Sequence, residues 1–233
     1  MSFKTACLGL SFGLVACATL SLASQKKTAP GVLVQDKGKF TIKLAGQTVG
    51  HEEFEIAPAE GGWLAKGSSE IKPPEGAPSK VTGSLTLLSN GSPISYEWKA
   101  QSEKNSGAHI VFANGVARIT LQMQGARPFQ QDLSFNSPLV AVLDNNLYYQ
   151  YAVLARIYDW SKGGEQAFPV LIPQELTPGT VTVLSTGAAA AEGKTYEGLK
   201  VTSSDLEILL LLDNNHRLIR LEVPAAKVSV IRE

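Results

Sequence analysis

Cysteine is almost missing from this sequence. The chain has two, Cys7 and Cys17, both close to its start. A domain that begins beyond them has no disulfide, no thiol nucleophile and no Cys-based zinc site. A surplus of charge is missing too, because 21 basic and 21 acidic side chains cancel. That balance argues against nucleic-acid binders and polybasic membrane-surface proteins, which need excess Lys and Arg. After residue 30 no apolar run reaches the roughly 18 residues that a membrane helix requires. After residue 30, nucleophile motifs of the G-x-S-x-G kind are absent, as are phosphate-binding glycine loops and dinucleotide fingerprints. A Ser–His–Asp triad is recognised by geometry, so a dispersed one escapes such a search.

What is present begins with MSFKTACLGLSFGLVACATLSLASQKK. Lys4 precedes an apolar run, and small residues at Ser21 and Ala23 are followed by polar Gln25, Lys26 and Lys27. This layout predicts a secretory signal peptide over residues 1–23, with cleavage near Ala23. Leu14-Val15-Ala16-Cys17 resembles the lipobox of bacterial lipoproteins, so the alternative is acylation of Cys17 as the first mature residue. On either route the protein is exported.

Residues 24–36 (SQKKTAPGVLVQD) read as a linker, leaving one β-rich domain over 37–233. From Phe40 onward apolar and polar residues alternate, as in Phe40/Ile42/Leu44, Ile94/Tyr96/Trp98 and Ile119/Leu121/Met123. Asn90-Gly91, Asn114-Gly115 and Asp213-Asn214-Asn215 supply turns between these runs. The pattern predicts about eight strands from Phe40 to Phe135 and roughly five more from Gln166 onward. The Pro-rich segment Ile71–Lys80 and the Ala/Gly-rich segment Thr186–Gly198 read as loops. Ile208 to Leu212 is continuously apolar, which suits a strand covered on both faces.

One helix is predicted over residues 145–161, with Asp144-Asn145 as its cap and Gly163-Gly164 as its stop. Leu147, Tyr151, Leu154 and Tyr158 form one stripe, and Tyr149, Val153 and Trp160 line another side. A helix apolar over most of its circumference should be buried on more than one side. The expected fold is therefore mainly β: a strongly curved antiparallel meander, or partly open barrel, wrapped around a single α-helix.

The segment GHEEFEI, residues 50–56, looks the most chemical. On a strand, His51, Glu53 and Glu55 point one way while Glu52, Phe54 and Ile56 point the other. Phe54 and Ile56 belong to the core, so the first three should face solvent. Same-face neighbours stand about 6.5 Å apart on a strand, which is wide for ligands of one metal ion. His109 and His216, each isolated at a strand or turn edge, carry no motif. The aromatic residues Tyr148, Tyr149, Tyr151, Tyr158 and Trp160, with Tyr96 and Trp98, pack a core or line an apolar pocket. Gln131, on the apparently inward side with Phe129, Leu133 and Phe135, needs a hydrogen-bond partner if buried. It could be a ligand contact or a helix-cap partner.

The exported N-terminus, the long meander, the helix ending in Lys-Gly-Gly and the closing LLLLDNNHRLIRLEVP resemble secreted bacterial domain families of unknown function. In plan the chain is also similar to the outer-membrane lipoprotein carrier and receptor folds, which implies a curved sheet that holds acyl chains. The resemblance is one of layout, and no functional residue carries over from it. Together these readings predict a non-enzymatic protein of the periplasm or cell envelope, anchored to the outer membrane if Cys17 is acylated. Its concave face would bind an apolar or lipid-like molecule, with Tyr96, Trp98, Gln131, Tyr151 and Tyr158 as candidate contacts. A structural protein with a filled core and an envelope partner is the alternative, and a hydrolase with a dispersed site is a third. No metal, cofactor or nucleic acid is expected.

Overall fold

The computed structural model describes residues 32–233 except 103, 192 and 205. The expected signal peptide, Cys17 and residues 24–31 of the expected linker lie outside the described residues. Eight strands come first: β1 (Asp36–Leu44), β2 (Gln47–Ala59), β3 (Gly62–Ile71), β4 (Ser79–Leu88), β5 (Pro93–Gln101), β6 (Ser106–Ala113), β7 (Val116–Met123) and β8 (Phe129–Ser134). Each pairs antiparallel with the next. Asn114 and Gly115 both take positive φ, 52° and 75°, in the tight turn between β6 and β7.

A two-residue strand, β9 (Ala141–Val142), precedes the helix α1 (Tyr149–Ile157). A second run follows: β10 (Glu165–Ile172), β11 (Thr177–Ala191), β12 (Lys194–Thr202), β13 (Glu207–Leu212), β14 (Leu218–Val223) and β15 (Val228–Arg232). β15 pairs antiparallel with β1, from Phe40 opposite Arg232 to Leu44 opposite Val228. That one junction fuses both runs into a single sheet of 15 strands, with β8 at one edge and β9 at the other. Arg232 locks the junction through a two-pronged bond to buried Asp36, at 2.6 and 3.1 Å.

The sheet curls around α1, and seven of the nine helix residues are buried. The predicted wrapped helix is therefore what the chain forms. The edges of the sheet approach each other where the Gln131 amide on β8 donates to the Leu176 carbonyl between β10 and β11, at 3.4 Å.

Several boundaries depart from the sequence reading. The helix is shorter than 145–161, because Asp144 draws the Asn146 N–H into a turn ahead of it. At the other end, Tyr158 is already extended and Asp159 gathers the amides of Ser161 and Lys162. The end of the expected linker is tied down, with Leu33 buried and Asp36 opening β1. Within the expected loop Thr186–Gly198, the described residues form a paired ribbon, with Ala188 opposite Glu197 and Ala191 opposite Lys194. Two paired strands need no buried side chain to close their ladder, so small residues give no alternation to read. With that ribbon counted, six long strands follow the helix where about five are predicted. On β13, Ile208, Leu210 and Leu212 are buried, but Leu209 and Leu211 are only half-buried. The outer face of β13 is thus less covered than its continuous apolar run predicts.

Candidate functional site

The site begins with a residue on the wrong-looking side of a strand. β2 alternates as predicted: His51, Glu53 and Glu55 are exposed, while Glu52, Phe54 and Ile56 are buried. Glu52 therefore projects into the core, where it meets the start of α1. Its carboxyl accepts the Tyr148 N–H at 2.6 Å and the Tyr149 N–H at 2.9 Å. These are amides that a helix start leaves without partners, and its positive dipole end favours an acidic group there. Burial works the other way and pushes Glu52 up to about 8, against the two amide bonds and with a further push from nearby Asp144.

Room for the helix comes from two glycines in register. Gly67 on β3 lies opposite Gly83 on β4. A Cβ on Gly67 would stand 2.3 Å from the Tyr149 ring, and one on Gly83 would stand 2.7 Å from the Tyr96 hydroxyl. The Tyr96 hydroxyl donates to Asp144 at 3.0 Å, and the Asp144 N–H donates to the side-chain carbonyl of Gln150. Burial raises Asp144, while bonds from the Asn146 N–H, Gln174 and Tyr96 pull it back. Glutamate, tyrosine and the glycine gap thus clamp the helix against β2–β5.

The opposite side of the helix is hollow. Between α1 and strands β10–β15 lies a cavity of about 680 Å³. Val170, Val181, Val201, Ile208, Leu221 and Val223 line its wall, and Tyr148 and Tyr151 face it from the helix side. Polar groups occur at Asp144, Asn145, Glu175, Ser203 and Ser204. Burial keeps both phenols protonated: Tyr148 is pushed up to about 12, helped by Glu52, and Tyr151 is raised further. Such a chamber, apolar with a few polar groups, can hold a molecule of ligand size.

The predicted contacts divide. Tyr151 lines the cavity, and Tyr96 reaches it only through its bond to Asp144. Trp98 sits opposite Gly83 in the packed half of the sheet. Gln131 bridges the seam to Leu176 and is not among the described residues that line the cavity. Tyr158 bonds the Gly164 carbonyl beyond the helix and meets Trp160 edge to face. Tyr148, one of the aromatic residues singled out from the sequence, also lines the cavity, whereas the buried carboxyls of Glu52 and Asp144 are what motif reasoning misses. Glu52 had a signal, as a carboxylate in phase with Phe54 and Ile56.

The three histidines do not converge. His51 pairs with Glu233 at 3.3 Å, His109 with Glu97 at 3.6 Å, and His216 with Glu197 at 2.7 Å while stacking on Trp160. Glu53 and Glu55 line an outer depression of about 470 Å³ together with Lys37, Lys66 and Lys99. Among the described residues no group of three His, Cys, Asp or Glu could hold a metal ion, and no helix is long and apolar enough to cross a membrane.

Among solved structures, the fold is similar to a crystal structure from Brucella abortus, a beta-barrel-like protein of domain of unknown function DUF1849. The TM-score is 0.58 at 9% identity, over 86% of this chain and 95% of that one. The fold is β-barrel-like. A DUF1089 family protein from Pseudomonas aeruginosa is similar at a TM-score of 0.49 and 12% identity, over 75% of this chain and 90% of that one. No family model matches the sequence, and no curated protein matches it. At these identities the likeness concerns the fold alone.

Proposed function

We propose that this is an exported cell-envelope protein that holds an apolar or lipid-like molecule between its helix and β10–β15, without catalysing a reaction. The observation that carries the reading is the cavity of about 680 Å³. It falls inside the range of roughly 300–1,000 Å³ typical of small-molecule sites, and its wall is mostly valine, isoleucine and leucine. The asymmetry of the packing supports the same reading. Glu52 and the paired glycines hold the helix firmly on one side, so the chamber on the other side is kept open without help from a ligand. The plan read from the sequence, similar to that of lipoprotein carriers, suits such a role. Export rests on the charge, apolar run and small residues of positions 1–23.

Mass spectrometry of solvent extracts from natively purified protein should reveal a co-purifying apolar molecule. The neutral fluorophore N-phenyl-1-naphthylamine should bind, and Val201→Phe, which fills the chamber, should weaken it by about tenfold or more. Extracts that are repeatedly empty, together with fluorophore binding unchanged in Val201→Phe, would leave a structural or interaction protein as the better reading.

A further inference from the structure

Resting on the ligand-binding reading above, we infer that the cavity selects by charge. It accepts an apolar molecule whose polar end donates hydrogen bonds and carries no negative charge, and it discriminates against anionic amphiphiles such as fatty acids.

Three observations lead there. Among the described residues that line the cavity none is Lys, Arg or His, whereas two, Asp144 and Glu175, carry carboxyls. An anion entering the chamber would lose water and gain no cationic partner, a transfer that proteins avoid. The second observation is that the helix start, which borders the chamber at Tyr148, has no free amides to offer an anion. A helix start presents amides and a positive dipole to a negative group. Here those amides, on Tyr148 and Tyr149, are bonded to the protein's own Glu52. Third, a nearby lysine is turned outward. Lys200, beside the cavity residue Val201, pairs with Glu207 at 3.5 Å, and neither lines the chamber.

What the chamber offers instead is acceptors. Asp144 is buried at its inner margin, and Glu175 is exposed in the turn between β10 and β11. An alcohol or ammonium end can donate to either carboxyl while the chain lies against Val170, Val181 and Ile208.

The test is displacement of N-phenyl-1-naphthylamine from the full chain at neutral pH by dodecanol, dodecylamine and dodecanoate, each kept below its aggregation threshold. The alcohol and the amine should displace the fluorophore at concentrations roughly tenfold lower than the carboxylate, and Glu175→Lys should narrow that gap. Dodecanoate that competes as well as dodecanol overturns the charge selection and leaves the ligand-binding reading intact. A gap that Glu175→Lys does not change also overturns it. Failure of the fluorophore and all three chains to bind overturns both.

Discussion

Glu52 offers the most direct test of how the helix is held. Its carboxyl sits in the core at about 8, against an ordinary value of 4.5. A group whose folded value lies above its unfolded one binds protons more readily in the native state, so folding stability falls as pH rises between the two values. The contribution is complete below about 4.5 and gone above about 8. The gap corresponds to as much as about 5 kcal/mol. Glu52→Gln keeps the shape and an acceptor for one helix amide but cannot ionise. The loss of the second amide bond costs it about 1–2 kcal/mol at every pH. At pH 5 the two proteins should differ by no more than that, with the parent slightly ahead. Near pH 8.5 the variant should lead by about 2–4 kcal/mol. Urea unfolding followed by tryptophan fluorescence at pH 5, 6, 7 and 8.5 measures both curves. Parallel curves, or a variant less stable than the parent at pH 8.5, would refute the reasoning. Either result would mean that the two amides and the helix dipole outweigh burial.

Other outcomes follow from the same packing. Glu52→Ala should lose about 2–6 kcal/mol at pH 5, since two helix amides are left without acceptors, and the deficit should shrink toward pH 8.5, as urea unfolding at both values will show. Gly67→Ala pushes a methyl into the Tyr149 ring and should cost roughly 1–3 kcal/mol, read as a Tm lowered by several degrees. Asp36→Ala strands Arg232 at the β1–β15 junction, and about 3–5 kcal/mol of stability should go with it in the same denaturation assay. If Cys17 is acylated, Cys17→Ser will alter precursor processing and move the protein out of the membrane fraction; unchanged fractionation would place cleavage near Ala23.

Alternation at Phe40/Ile42 and Ile94/Tyr96/Trp98 was enough to announce strands, because a half-buried strand must segregate its faces. The helix announced its own burial through apolar residues on nearly every side. Other features were silent for physical reasons. The Ala188–Ala191 ribbon carries no periodicity, since its side chains are small and its ladder is closed by backbone alone. The hollow beside the helix is a property of how β10–β15 curve, and valines lining a void read the same as valines filling a core. Glu52 lay between these cases. Strand phase placed it inside, but its partners are amides 96 and 97 residues away, which no local pattern can name.

The pairing of β1 with β15 has a bearing on how the chain assembles. As the polypeptide is delivered from its N-terminal side, β1 to β8 can zip together by neighbouring hairpins. The other flank of β1 then stands bare until Arg232 arrives, 196 positions after Asp36. During that interval β1 is an unprotected border, the kind of strand that recruits a foreign chain. It carries Lys37, Lys39 and Lys43, the residue type that deters such recruitment. Replacing all three with threonine should leave the finished molecule nearly as stable yet lower the yield of refolding from dilute urea, with the lost material recovered as aggregate.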